Sequence, residues 1–247
     1  MASVLRKVIR IGSSSQPPVK SCDDVNCSGS WNTPRIGPSE PQIGDIFSIS
    51  MSIYTPFKTL LGVKLKDSES YYTAGGTKGA RPCIIIDTRK MRAIYMVLLM
   101  ASFDKSEEAD VPQPFKQFLT PIPTSYRPIK GNMEHIHTTP EWESAPQYLV
   151  LIPVPCPKSR LMERWSSHKV DSSKGKFDFY LDDLALATLR RLAFQKRQYW
   201  EEKGKYELTR EEYLKQLDKL KEEQTKSFWA KSQKTRSQFT GFKRSIR

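Results

Sequence analysis

Two apolar runs joined by a short basic link constrain the fold of this chain most. The runs are residues 79–87 and 93–102, and the link is residues 88–92. Each run is long enough for a strand and too short for a stable helix, and the link suits a hairpin. Both runs are continuously apolar, which is typical of strands that are covered on both faces or closed into a small barrel. The sequence therefore predicts a buried β-hairpin at the centre of the fold.

Three further segments have the pattern of strands. In residues 42–54 a Gly-Asp turn precedes apolar residues at a period of two, which predicts a half-buried strand with its serines facing outward. Residues 148–154 form another apolar run, and we expect a strand that is ended by Pro153 and Pro155. Residues 177–180 are interpreted as a short strand that leads into the helices.

Other stretches are predicted to be irregular. Residues 1–40 are rich in Ser, Pro and Gly and form a leader. Residues 55–80 are a long connection whose glycines permit close approach of a ligand or provide flexibility alone. Five prolines in residues 111–128 exclude a long helix.

A pair of helices is predicted towards the C-terminus. The first starts at residues 181–184, where two aspartates suit the positive end of the helix dipole, and Gly204 is its expected end. A capping-box pattern at residues 209–212 opens the second. Residues 181–223 carry ten basic and ten acidic side chains, which is typical of solvated helices that pack one face onto a partner. The apolar positions expected to pack are Leu181, Leu184, Ala185, Thr188, Leu189 and Leu192, then Tyr213, Leu214, Leu217 and Leu220.

The net charge of +13 is concentrated at the two ends of the 247-residue chain. Residues 1–20 carry four basic side chains and no acid, and residues 224–247 carry seven and no acid. Residues 21–223 hold 29 basic against 27 acidic side chains, so the body is close to neutral. This placement argues for basic arms rather than a basic globular surface. The C-terminal tail also holds four aromatic residues, which can stack on bases. Its cations are expected to contact nucleic acid, and they are Lys226, Lys231, Lys234, Arg236, Lys243 and Arg244. A solubilising or localising tail is the alternative.

The cysteines and histidines predict neither a metal site nor a cofactor. Cys22 and Cys27 do not have the spacing of a strong zinc motif, and Cys83 lies in an apolar run as a small buried side chain. His135 and His137 lie on the same side of an extended segment, but a His-x-His pair alone is weak and a packed turn is favoured. The further ligands considered for this pair are Cys156, His168 and Glu141.

The order of motifs in residues 42–104 resembles the MazF/PemK family. The matching pieces are Gly44-Asp-Ile46, a long first loop, Gly79-Ala-Arg-Pro82 at the start of an apolar strand, and a second strand that ends in Ala101-Ser102. The resemblance implies a small SH3-like barrel of the kind found in endoribonuclease toxins. The segments 137–142 and 179–186 are in addition similar to parts of uncharacterised fungal proteins.

The same resemblance implies two catalytic residues. Arg81 matches the family's arginine before proline, and a guanidinium can stabilise charge on a phosphorane because its fork presents donors to two oxygens. Ser102 stands near the hydroxyl residue that ends the family's third strand. The chain departs from the family after that strand, since it has Met100-Ala-Ser-Phe103 in place of a Pro and a Thr/Ser pair. The alternative for Arg81 is a structural ion pair.

The sequence therefore predicts an α+β protein, with a small SH3-like, PemK/MazF-like β-barrel, long loops and a C-terminal helical pair. The expected function is RNA interaction, with single-stranded RNA as the partner and endoribonuclease-like cleavage as its extension. The alternative is a non-catalytic module that binds a protein through the 181–223 helices. No apolar run of membrane-spanning length occurs. Cytoplasmic or nuclear localisation is expected ahead of mitochondrial import. The expected divisions are residues 1–40 (leader), 41–180 (barrel), 181–223 (helices) and 224–247 (basic tail).

Overall fold

The computed structural model describes residues 22, 40–64, 80–89, 93–102, 116–124, 129, 134–142, 147–171, 175–219 and 222. These residues form an α+β fold, in which helices pack on a mostly antiparallel sheet. The strands are β1 (Ile46–Ile49), β2 (Arg81–Arg89), β3 (Ile94–Ala101), β4 (Leu119–Ile122), β5 (Gln147–Val150), β6 (Val154–Pro157), β7 (Leu161–Arg164), β8 (Ser166–Asp171) and β9 (Gly175–Asp178). The helices are α1 (Tyr54–Leu60), α2 (Asp183–Lys203) and α3 (residues 207–219), and a 3-10 turn spans Lys158–Arg160.

The sheet is built around the β2–β3 hairpin. Its order is β4-β5-β3-β2-β1-β7, with β6 also pairing to β3, while β8 and β9 form a separate two-stranded ladder. β2 and β3 pair antiparallel with Cys83 opposite Leu99, and the register shifts once between Ile85 and Asp87. The hairpin that the two apolar runs predicted is confirmed. β1 pairs with β2 on one side and with β7, far along the chain, on the other, where Phe47 lies opposite Arg164.

Both faces of this hairpin are buried, as the continuous apolar runs predicted. Alternate residues belong to two separate apolar clusters, so that Cys83 and Ile85 lie in the first and Ile84 in the second. Cluster 1 includes Phe47, Ile49, Phe57, Val97, Leu99, Phe118, Trp200 and Leu217. Cluster 2 includes Ile46, Leu98, Met100, Ile136, Trp142, Leu149, Leu151, Leu186, Leu189 and Leu192.

The apolar run 148–154 was predicted to form one strand that ends at Pro153 and Pro155, and this end was predicted wrongly. β5 and β6 share the same neighbour, because β5 pairs with the end of β3 and β6 with its beginning. Pro155 lies inside β6 rather than beyond the strand. Among the described strands β6 pairs with β3 alone, and Pro155 is exposed while Cys156 is buried. A strand with one free edge tolerates proline, whose missing N–H then faces away from the ladder.

The strand and loop predictions for residues 42–80 need two corrections. All of β1 is buried, and Ser48, which was expected to face outward, is 3% exposed beneath Met162 of β7. Residues 54–60, predicted to fall largely in an irregular connection, form the short helix α1, and its Phe57 packs in cluster 1. The helix forms because Phe57 and Leu61, one turn apart, both reach the apolar interior. The glycine-rich stretch 65–79 lies outside the described residues.

The Gly44-Asp45 pair has a structural role at the start of β1. Gly44 has φ +92°, and a Cβ there would lie 2.8 Å from the Leu181 carbonyl oxygen, so glycine is required both for the conformation and for the close approach. The buried Asp45 carboxylate forms an ion pair at 2.7 Å with Arg164 and accepts a hydrogen bond from the Gln42 backbone N–H. These contacts fix β7 against β1.

The predicted start and end of the first C-terminal helix are confirmed. Asp182 is the N-cap of α2 and accepts a hydrogen bond from the Ala185 backbone N–H at 2.8 Å, and Gly204 is the C-cap. The predicted buried face is partly wrong, because Leu184 is 54% exposed while Leu186 is buried. α3 begins two residues before the capping-box threonine, since the Arg210 N–H already bonds to the Tyr206 carbonyl.

The strand ladders do not close into a barrel among the described residues. Single contacts continue from β4 towards β1: the Ile136 N–H bonds to the Pro121 carbonyl, Thr139 exchanges two 2.8 Å backbone bonds with Tyr180, and Tyr180 forms a bridge with Asp45. In the described part of the chain, no helix combines the length and apolarity needed to cross a bilayer.

Candidate functional site

A groove lies between the sheet and helix α2. Its volume is about 700 Å³, which is in the range of small-ligand and peptide pockets. The apolar surface of its floor comes from the partly exposed Ile86, Met96 and Pro153, which lie beside fully covered core residues. One wall is formed by α2 residues, among them Phe194, which is 60% exposed, and Trp200 at the far end. The groove therefore offers apolar surface that the fold itself leaves partly uncovered.

Trp200 holds one end of this groove in place. Its side chain is 5% exposed, and its indole N–H donates to the Leu60 carbonyl at 3.3 Å. Its ring meets Phe118 edge-on at a centroid distance of 5.9 Å and Tyr213 of α3 at 5.3 Å. The Tyr213 hydroxyl accepts a 2.7 Å hydrogen bond from the Gln117 amide. Burial raises the pKa of Tyr213, so its hydroxyl stays neutral at physiological pH.

The rim of the groove is predominantly basic. Four basic side chains and one acidic side chain line it, and the acidic one is Glu201. Glu201 forms an exposed i,i+4 ion pair with Arg197 at 2.9 Å. Basic charge beside an apolar floor complements a ligand that is itself apolar and acidic. The basic rim residues are Arg190, Arg197, Lys205 and Arg210.

Sequence reasoning did not find this groove as a site. It assigned the helices 181–223 to a protein partner, but the apolar residues of the floor come from strands and loops far from α2 in sequence. One signal was present, because Arg190 and Arg197 are seven residues apart and therefore lie on the same side of a helix.

Arg81 is the first residue of β2 and lies opposite Ile49 of β1. It is 9% exposed, so its guanidinium is largely covered. Ser102 follows the last residue of β3 and is partly exposed. By the alternation of side chains along the hairpin, Arg81 shares a face with Cys83, and Ser102 shares the opposite face with Met100. The fold therefore brings the two residues to the same end of the hairpin but assigns them to different faces.

The tail cations predicted to bind nucleic acid, Lys226, Lys231, Lys234, Arg236, Lys243 and Arg244, lie outside the described residues.

Two buried cysteines are poorly suited to nucleophilic chemistry. Cys83 and Cys156 are both fully buried. Burial raises the pKa of Cys83 well above its ordinary value, with a smaller contribution from Cys156, and it raises the pKa of Cys156 to about 12. Both side chains are therefore neutral thiols at physiological pH, whereas a nucleophile must be a thiolate.

Three side chains lie close enough together to share a metal ion. Among the described residues, the only such group of three or more His, Cys and acidic side chains is Cys22, His135 and His137. The sequence alone suggested Cys156, His168 and Glu141 as further ligands of the two histidines, and it carried no signal for Cys22. The signal was hidden because 113 residues separate Cys22 from His135.

Comparison of the chain with protein-family models, with curated proteins and with solved structures finds no match to any of them.

Proposed function

We propose that this protein is a non-catalytic binding module, which holds an acidic, partly apolar segment of a partner protein in the groove between α2 and the sheet. The observation that carries this proposal is the combination of an apolar floor with a rim of four basic and one acidic side chain. Apolar side chains of the partner would fill the floor, and its carboxylates would pair with the rim.

The charge of the groove argues against occupation by the basic ends of this chain. Residues 1–20 and 224–247 carry basic side chains and no acidic ones, so both ends would be repelled by the rim. The exposed ring of Phe194 is an apolar contact for a ligand that comes from elsewhere.

Selection from a displayed library of short random peptides tests this proposal. The wild-type protein is expected to enrich peptides that combine apolar residues with Asp or Glu. The double variant Arg190→Glu/Arg197→Glu should lose those peptides, because the rim charge is reversed. Arg191→Glu is the matched control, since Arg191 adjoins Arg190 in sequence but pairs with Glu134 and does not line the groove.

The affinity of one selected peptide, measured by fluorescence anisotropy, completes the test. We expect Phe194→Ser to weaken binding at least tenfold, while Tyr199→Ser, an exposed aromatic outside the groove, leaves it unchanged. Failure to enrich any acidic, apolar peptide, or equal binding by the rim-reversed variant, would contradict the proposal.

RNA contact by a MazF/PemK-like, SH3-like barrel is a second proposal. It is supported by the antiparallel β1–β2–β3 order, with Gly44-Asp45 opening β1 and Arg81-Pro82 opening β2. The isolated backbone hydrogen bonds and bridges between β4 and β1 lie where the two edges of the sheet would join in a closed small barrel. In this proposal Arg81 contacts a phosphate, and the low exposure of its side chain requires a local opening at the start of β2.

Incubation with a long single-stranded RNA tests the second proposal. Wild type is expected to retain the RNA, and Arg81→Lys to retain it less, because lysine keeps the charge but loses the bidentate fork. Removal of residues 224–247 should lower the affinity and flatten its salt dependence, because seven cations are lost. If RNA is neither bound nor cut by the full chain, this proposal fails and the peptide-binding proposal is unaffected.

A further inference from the structure

Two histidines and one cysteine converge at a point away from the groove. The Cys22 Sγ lies 3.3 Å from the His135 Nε2, and that nitrogen lies 3.0 Å from the His137 Nε2. All three ligand atoms lie within 4.8 Å of one another. Cys22 and His135 are 3% and 8% exposed, and His137 is partly exposed. Three strong metal ligands thus meet in a nearly closed site.

The local backbone explains why the two histidines point the same way. They flank Ile136 in an extended segment, and the Ile136 N–H bonds to the Pro121 carbonyl of β4. Ile136 is buried in cluster 2, so by the alternation of an extended chain both histidines project away from that cluster. Cys22 is placed from another part of the chain by a single parallel bridge to Ile129.

Hydrogen bonding alone accounts poorly for the central nitrogen of this group. The Nε2 of a neutral imidazole carries either one proton or one lone pair. The His135 Nε2 nevertheless lies at contact distance from both the Cys22 sulfur and the His137 nitrogen. One proton cannot lie on both lines at once, and one lone pair cannot align well with two donors. A cation between the three atoms would take a separate lone pair from each.

We propose that Cys22, His135 and His137 bind a zinc ion. Zinc binds thiolate sulfur at about 2.3 Å and imidazole nitrogen at about 2.0–2.1 Å in a tetrahedron. A tetrahedron of these bond lengths places two nitrogens roughly 3.3 Å apart and a sulfur and a nitrogen roughly 3.6 Å apart. The distances of 3.0 and 3.3 Å lie a few tenths of an ångström below those values, and the ligand atoms of Cys22 and His137 lie within 4.8 Å of each other. Side-chain rotations that open the two short distances and bring the Cys22 sulfur towards His137 would admit the ion.

The donor set also selects the metal. One thiolate and two imidazoles suit zinc, whereas magnesium and calcium require oxygen ligands. Binding would release the thiol proton of Cys22 to solvent, because the ligand is the thiolate. Three protein ligands leave the fourth tetrahedral position to a water or another donor. The part-exposed His137 marks the side from which that position can be reached.

Metal analysis of the full chain, purified without a histidine tag, tests the proposal. Inductively coupled plasma mass spectrometry is expected to find about one zinc ion per chain. Cys22→Ser and His137→Ala should each reduce that content at least tenfold. His168→Ala is the control, because His168 is the third of the three histidines and belongs to β8, far from His135 and His137 in sequence, and it should keep the metal.

Cobalt substitution separates lost ligation from lost folding. Cobalt added to the zinc-free wild type should give the absorption of a tetrahedral site together with a thiolate charge-transfer band. Cys22→Asp keeps a ligand without sulfur, so it should retain cobalt and lose that band alone. The proposal is overturned if the wild type takes up neither zinc nor cobalt, if the cobalt spectrum has no thiolate band, or if Cys22→Ser and His137→Ala bind zinc as tightly as wild type.

Discussion

The two halves of helix α2 meet the sheet differently. In the first half Leu186, Leu189 and Leu192 are buried in cluster 2. In the second half Trp200 is the one buried side chain, and Phe194 and Tyr199 are 60% and 43% exposed. The first half therefore contributes most to the buried core, although Leu189 and Arg190 also line the groove, while the second half contributes the exposed part of the groove wall. One helix thus serves both the core and a candidate binding surface.

The largest effect is expected for Trp200→Ala. Trp200 is the sole buried contact of the second half of α2, and removal of a buried tryptophan costs about 3–5 kcal/mol of unfolding free energy. Urea denaturation followed by circular dichroism measures the loss. Tyr199→Ala, at a neighbouring exposed position, should change stability by less than about 0.5 kcal/mol. Equal losses in the two variants would remove the distinction between a buried and an exposed side of this half.

Leu189→Ala and Leu184→Ala compare two positions in the first half. Leu189 is fully buried and Leu184 is 54% exposed. We expect Leu189→Ala to cost about 2–5 kcal/mol and Leu184→Ala to cost less than about 0.5 kcal/mol. The same denaturation experiment checks both. A large loss for Leu184→Ala would mean that the sequence pattern, which placed Leu184 on the packed face, was right after all.

Gly204→Ala tests how closely the residue that ends α2 packs against the Trp200 side chain. The backbone of Gly204 is in the helical region, with φ −72°, so its importance is steric rather than conformational. A Cβ would lie 2.8 and 2.9 Å from two atoms of the Trp200 indole. We expect a loss of about 1–3 kcal/mol from overpacking.

A double-mutant cycle assigns the cause of that loss. In a Trp200→Ala background the indole is absent, so Gly204→Ala should cost less than it does in the wild type. An unchanged cost would point to the backbone of the turn instead of the indole.

The smallest effect is expected at the start of α2. Asp182 caps the helix through its 2.8 Å bond to the Ala185 N–H, and loss of such a cap costs about 1 kcal/mol. Asp182→Ala should therefore lower stability by this amount without altering peptide binding at the groove, because the α2 residues that line the groove begin at Leu189, about two turns after the cap. Thermal denaturation and the anisotropy assay measure the two properties separately. A change in peptide affinity larger than the change in stability would show that the two halves are coupled.

The sequence predicted the parts of this fold whose signal is local. The β2–β3 hairpin follows from continuous apolar runs, and the ends of α2 follow from Asp182 and Gly204. Errors arose where a distant partner decides the outcome. Ser48 is buried because β7 covers it, and Pro155 lies within a strand because β6 pairs on one side only among the described strands. Helix α1 is short and has no side-chain cap, so its sequence carries little signal of its own.

The candidate sites were harder to predict than the fold for the same reason. Arg81 was found because a short motif carries it, but its low exposure depends on packing. The groove requires residues of α1, of the strands β2 and β3, of the segments next to β4 and β5, and of α2 and α3 to be placed together. The cluster of Cys22 with His135 and His137 joins positions that no spacing rule connects.

The pairing of β1 with β7 has a consequence for synthesis of the chain. Phe47 emerges from the ribosome long before Arg164, its partner across the ladder. At translation rates of about 5–20 residues per second, the delay is on the order of ten seconds. During that time β1 can pair with β2 but presents an open edge, which is a template for association with other chains. The nascent protein is therefore expected to depend on chaperones most strongly before residue 164 is made, and least once β7 has covered Ser48.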